Sequence, residues 1–264
     1  MKKLFLFILL SSYIIAKQTI IVSIVPEQTF LKEIVKDKFN IEVMVKPGNS
    51  PHTYEPKPSQ MKSISKAKLY LSIGVEFENS WLNKFHNQNK SLKIINIEKG
   101  IKKINNDPHI WTNPIFVKII SKNILDAVIN IDKTNKDFYT TNYNHFIKKL
   151  DNLDEQIKQM LSHLPKQSKF LVVHPSWGYF AKEYGLIQLS IEIDGKSPKP
   201  KEIIKLIKEA KKENVRVIFT SPEFSTKIAK QIAHQLNIKV IKVSPLAPNY
   251  ISNILKITKA IAQQ

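Results

Sequence analysis

Eight short apolar runs rich in β-branched residues alternate along the chain with segments whose apolar positions recur every three or four residues. Strands are expected over 19–25, 41–45, 68–73, 92–97, 170–173, 186–193, 215–220 and 239–243. Helices are expected over 26–36, 58–67, 76–86, 114–131, 134–163, 176–184, 200–212, 224–236 and 249–262. Strands separated by helices must cross over to pair in parallel, so the pattern predicts an α/β fold built from βαβ units. The run Thr19-Ile-Ile-Val-Ser-Ile-Val25 has almost no polar alternation, as suits a strand covered on both faces. The segment 134–163 contains neither Pro nor Gly, and Tyr143, Phe146, Leu150, Leu153, Ile157 and Leu161 fall on one stripe. Some thirty residues make a rod of about 45 Å, long enough to join two small domains; packing as a helical hairpin partner is compatible with that. The expected organisation is therefore a signal peptide over 1–16, an N-terminal α/β lobe over 17–132, a connecting helix over 133–164 and a C-terminal α/β lobe over 165–264. The second βα series resembles the first in form, without a repeat at the residue level.

A chain of 264 residues, 42% hydrophobic and 24% charged, has the composition of a globular protein with real cores. The absence of cysteine excludes disulfides, thiolate metal sites, a cysteine nucleophile and a lipid-modified cysteine. A formal charge of +19 invites a nucleic-acid reading. Against it, Arg216 is the single arginine among 41 basic residues, and arginine is the side chain that forks onto phosphate and guanine. The lysines are spread along the whole chain, so no nucleic-acid partner is expected. Met1 to Ala16 joins a short basic start to an apolar run and ends on a small residue, the form of a secretory signal peptide. Ile14 is unusual at the third position before the cut, which leaves an uncleaved anchor as the alternative. No other run is long enough to cross a bilayer, so the expectation is an exported, periplasmic monomer without stable membrane insertion after cleavage.

Three histidines share an unusual setting. His52 lies in Asn49-Ser-Pro-His-Thr-Tyr-Glu-Pro-Lys-Pro58, where three prolines stiffen the loop. His109 lies in Asp107-Pro-His-Ile-Trp-Thr-Asn-Pro114, and His174 opens His174-Pro-Ser-Trp-Gly178. Each follows an expected parallel strand, and ligands of open α/β sheets bind where the loops at the strands' carboxyl ends converge. Two of the loops come from the first lobe and one from the second, which points to a site at the lobe interface. Three neutral imidazoles favour zinc or copper over manganese or magnesium. A loop histidine that only meets solvent is the plain alternative for each taken singly. His86, His145, His163 and His234 lie on or beside helices and read as surface or packing residues.

The chain resembles the periplasmic substrate-binding proteins of zinc and manganese ABC transporters, the family that also holds the metal-binding streptococcal adhesins. The resemblance is carried by Pro51-His-Thr-Tyr-Glu-Pro56, Asp107-Pro-His-Ile-Trp111, His174-Pro-Ser-Trp-Gly-Tyr-Phe180 with Tyr184-Gly185, Ser221-Pro-Glu-Phe-Ser225 and Val243-Ser-Pro-Leu246. It implies two α/β lobes joined by one rigid helix, with the ion buried between them. The first three family ligands fall on His52, His109 and His174, and a histidine rather than a glutamate at the third position points to zinc. The resemblance further implies capture of Zn²⁺ as transported ligand, delivery to an inner-membrane ABC permease, and no catalysis. The fourth family ligand is commonly an Asp where this chain has Ser244, so that position is open to water first, or to Glu223, Glu55 or Ser244 itself. The segment 98–106 is short and lacks the His-rich loop of some zinc members. Trp111, Trp177 and Tyr179 are candidates to wall the site, with core packing as the alternative.

Two further readings stand beside zinc capture. A zinc hydrolase could use three imidazoles and a metal-bound water, with Glu55 or Glu223 as base, although no His-Glu-x-x-His helix is present. Binding of manganese or another divalent ion is the other. An adhesin role finds no repeat or exposed apolar run to support it.

Overall fold

The computed structural model describes residues 17–192 and 198–263. The expected signal segment 1–16, and Ile193 at the end of the expected sixth strand, lie outside them. In chain order the first half comprises β1 (Thr19–Ile24), α1 (Val25–Val35), β2 (Asn40–Val45), α2 (Pro58–Ile64), β3 (Leu69–Ser72), α3 (Glu76–Gln88), β4 (Lys93–Asn96) and α4 (Pro114–Ile131). The long helix α5 spans Lys136–Leu161. The second half comprises β5 (Lys169–Val172), α6 (Gly178–Glu183), β6 (Ile187–Ser190), α7 (Pro200–Lys212), β7 (Val217–Thr220), α8 (Lys227–Leu236), β8 (Lys239–Lys242) and α9 (Tyr250–Ala262).

The strands form two sheets of four, ordered β2-β1-β3-β4 and β6-β5-β7-β8. Every pairing is parallel, with Ile20 opposite Ile41 and Leu69 in the first sheet and Leu171 opposite Leu189 and Ile218 in the second. Both halves thus wind the same way and reverse direction at the same place, between the first and third strands of each series. The crevice outside that reversal is where an α/β sheet has room for a ligand.

The alternation within the second sheet decides what each of its faces covers. Phe170, Val172, Val217 and Phe219 join a core that continues through Phe146, Leu150 and Ile157 of α5, Ile254 and Ile257 of α9, and Ile20, Phe30 and Leu71 of the first half. Leu171, Val173 and Ile218 face the other way, onto a smaller cluster with Ala210 of α7 and Ile232 of α8. One apolar core therefore runs through both halves.

Several bonds sew the halves together beside the crevice. Trp111 Nε1 donates to the Pro245 carbonyl at 2.9 Å, and Thr29 Oγ1 to that of Pro248 at 2.7 Å. Phe30 meets Tyr250 edge to face at 5.0 Å. The Tyr179 hydroxyl donates to the Asp107 carbonyl at 2.8 Å and accepts the Ile104 N–H at 2.9 Å. Helix α5 packs on α1, α4 and α9, so it is both connector and hairpin partner. It starts two residues later than its periodicity suggested because Asp132 gathers Asn135 and the Tyr139 hydroxyl around a separate turn, 133–135. Helix α8 starts at Lys227 rather than 224, since the preceding residues are held in a loop against the site described next. Among the described residues no helix is long and apolar enough to cross a membrane.

Candidate metal centre

The three loop histidines converge. Their ligand nitrogens all lie within 4.8 Å of one another, and no other group of three or more His, Cys, Asp or Glu side chains among the described residues does so. His52 Nε2 and His174 Nε2 are 3.0 Å apart. Ring centroids are separated by 4.8 Å for His52–His174, 5.2 Å for His109–His174 and 6.0 Å for His52–His109. Nitrogens bound to one tetrahedral zinc at 2.0–2.1 Å would stand about 3.3 Å apart, so small ring movements bring this set to that geometry.

Local sequence explains how each ring is presented. Pro51 is buried and opens a single 3₁₀ turn whose first N–H groups are free to be capped; Ser50 Oγ accepts from the His52 N–H at 3.3 Å. The turn 110–112 follows His109, where Thr112 Oγ1 donates to the His109 carbonyl at 2.8 Å. Asn113 then caps α4 by accepting the Ile115 N–H, with Pro114 in the first helical position, where its missing N–H costs nothing. His174 lies two residues beyond the end of β5 and sits 9% exposed, with His109 at 7%.

Behind each ring stands a carboxylate. His52 Nδ1 is 2.9 Å from Glu76, His109 Nδ1 is 2.7 Å from Asp107, and His174 Nδ1 is 2.8 Å from Glu192. A carboxylate can only accept, so each neutral ring carries its proton on Nδ1 and turns a lone pair on Nε2 inward. Two such lone pairs at 3.0 Å repel unless a proton or a cation lies between them. The hydrogen bond to Glu76 raises the pKa of His52 above the ordinary imidazole value, against the opposing effect of burial. Burial lowers that of His109, with Asp107 only partly offsetting it. Burial opposes ionisation of Glu76, yet the hydrogen bond and charge of His52 hold its carboxyl below the usual range.

None of the three acids was singled out from sequence. The sequence signal was uneven: Glu76 lies just beyond β3 and Asp107 shares the loop of His109, whereas Glu192 falls inside the expected strand 186–193 and is freed only because β6 ends at Ser190. Glu76 is brought to His52 by Gly74, whose φ of +79° suits a residue without a Cβ. Asp107 opens the His109 loop and also accepts that residue's N–H at 3.0 Å. Phe224 was missed as well. Its ring stacks on His174 with centroids 4.3 Å apart and planes 16° apart, and lies 6.4 Å from His52. Of the expected aromatic walls, Trp111 stands 5.3 Å from His109, whereas Trp177 packs against Phe180 and Tyr179 joins the halves.

The candidates for a fourth position differ sharply. Glu55 is exposed. Ser244 Oγ donates to Glu223 Oε1 at 2.8 Å and accepts the Leu246 N–H at 3.0 Å. Glu223 Oε2 is buried without a hydrogen-bond partner. Among the other histidines, His163 Nε2 lies 3.0 Å from the Ala262 carbonyl.

Known proteins resemble the chain over most of its length. The family model described as "Zinc-uptake complex component A periplasmic" matches residues 20–264. A solved structure described as a crystal structure of ZnuA superposes with a TM-score of 0.90 at 38% identity, covering 94% of this chain and 98% of that one. The high-affinity zinc uptake system protein ZnuA of Bacillus subtilis is 28% identical over 84% of this chain and 76% of its own length. The manganese ABC transporter substrate-binding lipoprotein PsaA of Streptococcus anginosus is 29% identical over 79% of this chain and 74% of its own length. With the family model spanning both sheets, the long helix and all three histidine loops, the chain belongs to the zinc-uptake complex component A family of periplasmic proteins.

Proposed function

We propose that this protein captures Zn²⁺ outside the inner membrane and delivers it to the permease of an ABC importer, holding the ion with His52, His109 and His174. The observation that carries the reading is the convergence of three Nε2 lone pairs, each ring backed by its own carboxylate. Zinc is favoured because the donors are nitrogen, whereas manganese prefers oxygen-rich sites. The resemblance to a manganese-transport relative makes manganese the second reading. The matched family is one of uptake components, not enzymes, so the hydrolase alternative falls away. A periplasmic monomer released from its signal segment is the form proposed to meet the permease.

The test is metal analysis and chelator competition on protein purified without added metal, with single alanine variants at His52, His109 and His174. Each variant is expected to lose at least about a hundredfold in zinc affinity, since an ion left with two imidazoles gives up a third of its protein donors. Retention of stoichiometric zinc by His174→Ala, or preference of the parent protein for manganese over zinc, would overturn the reading.

A further inference from the structure

Three neutral imidazoles supply no charge, and a dication placed among them would sit in a crevice where two of the rings are almost out of solvent. Asp107, Glu76 and Glu192 hold the Nδ1 atoms, on the side of each ring away from the Nε2 that would face an ion. A zinc ion seeks four donors, and a buried charge seeks an opposite one.

Two loops of the second half reach the same rim, 221–226 after β7 and 243–246 after β8. The first lies across the imidazoles, because its Phe224 ring stacks on His174 and approaches His52. The residue before it, Glu223, has its two oxygens in different circumstances. Oε1 is held by the Ser244 hydroxyl at 2.8 Å, while Oε2 is shut off from solvent with nothing to bond. A buried carboxylate oxygen without a partner is costly, and such groups call for an explanation. Ser244 is itself committed at both ends, to Glu223 and to the Leu246 N–H, so its oxygen serves as a strut.

We infer that Glu223 is the fourth donor to the captured ion, through Oε2, and that Ser244 is the positioning residue that aims it. The inference rests on the zinc-capture reading and deepens it. Glu223 stands outside the cluster of nitrogens, so its carboxylate swings inward as the ion enters, beside a Phe224 ring that is already stacked on His174. The carboxylate replaces one water on the ion, no proton is transferred, and the charge of the ion with its donors falls from +2 to +1.

Cobalt substitution tests this, with sodium azide as a probe of any exchangeable water on the ion. In the parent protein the visible Co²⁺ bands are expected to stay unmoved by azide. In Glu223→Gln they should shift with azide, and zinc affinity should drop by about ten- to a hundredfold. Ser244→Ala should show a smaller drop, with Ser244→Thr restoring it. Thermal unfolding of the metal-free variants separates loss of fold from loss of a donor, and the azide response of the parent protein requires no variant at all. An azide shift in the parent protein, or unchanged affinity in Glu223→Gln, overturns the inference. His174→Ala serves as the control: if it binds cobalt as well as the parent protein does, the three-imidazole reading itself has failed.

Discussion

His52 and His109 are pushed in opposite directions by their surroundings, and this sets how the site responds to pH. Glu76 raises His52, so as pH falls His52 takes up a proton ahead of His109, whose burial disfavours charge. An imidazole must be deprotonated to bind, so a proton on His52 competes directly with the ion proposed to bind there. Zinc affinity is expected to decline steadily from pH 7.5 to 5, read by chelator competition at each pH. Glu76→Gln removes the main cause of the upward shift. The variant should bind about ten- to a hundredfold more weakly at pH 7.5, while its loss of affinity on acidification begins at lower pH than in the parent protein. In metal-free protein the sign reverses: a group raised on folding stabilises most below its unfolded value and loses that contribution as pH rises through the folded value. Acid thus favours the empty fold at this residue and opposes the loaded one. Coincident pH profiles for the parent protein and Glu76→Gln would show that the carboxylate does not tune the ring.

At the scale of elements, α5 bears the heaviest packing duty. Tyr139, Phe146, Leu150, Leu153 and Ile157 are buried along its stripe, and Phe146 lies 6.0 Å from Phe30 of α1. Tyr184 at the end of α6 donates to Asp154 of α5 at 3.0 Å, which ties the second half to the same rod. Phe146→Ala would open a cavity against both α1 and the shared core. A loss of about 3–5 kcal/mol is expected, measured by urea unfolding of the metal-free protein. A loss below about 1 kcal/mol would mean that the stripe is not the joint between the halves. The stripe was legible as periodicity. Its starting point was not, because the separate turn at 133–135 depends on Asp132 collecting a hydroxyl seven residues ahead.

On the scale of the whole molecule, a single core joins two sheets of the same topology. Shared burial makes the halves depend on one another for stability, so calorimetry of the metal-free protein is expected to give one cooperative transition. Zinc held as proposed, by residues of both halves, should raise that transition at saturation without splitting it. At a hundred times the dissociation constant the added stability is about 2.7 kcal/mol. Two separate transitions, with zinc moving only one, would contradict an ion held across the crevice.

The α/β class, the parallel pairing and the three imidazoles were all readable in the chain, because strand and helix periods and proline-stiffened loops are local properties. Pro51 and Pro114 mark their turns whatever the rest of the molecule does. The partners of the rings were a different matter. Glu76 lies 24 positions beyond His52 and Glu192 lies 18 beyond His174, and nothing in that spacing announces a hydrogen bond. Only the folding of strand ends onto one rim brings them within 3 Å. The tertiary structure alone also decided that Phe224 covers His174, since burial against a ring depends on which loops meet across a crevice. Donor type was written locally; the charge, orientation and enclosure of those donors came from segments that are neighbours only in the folded chain.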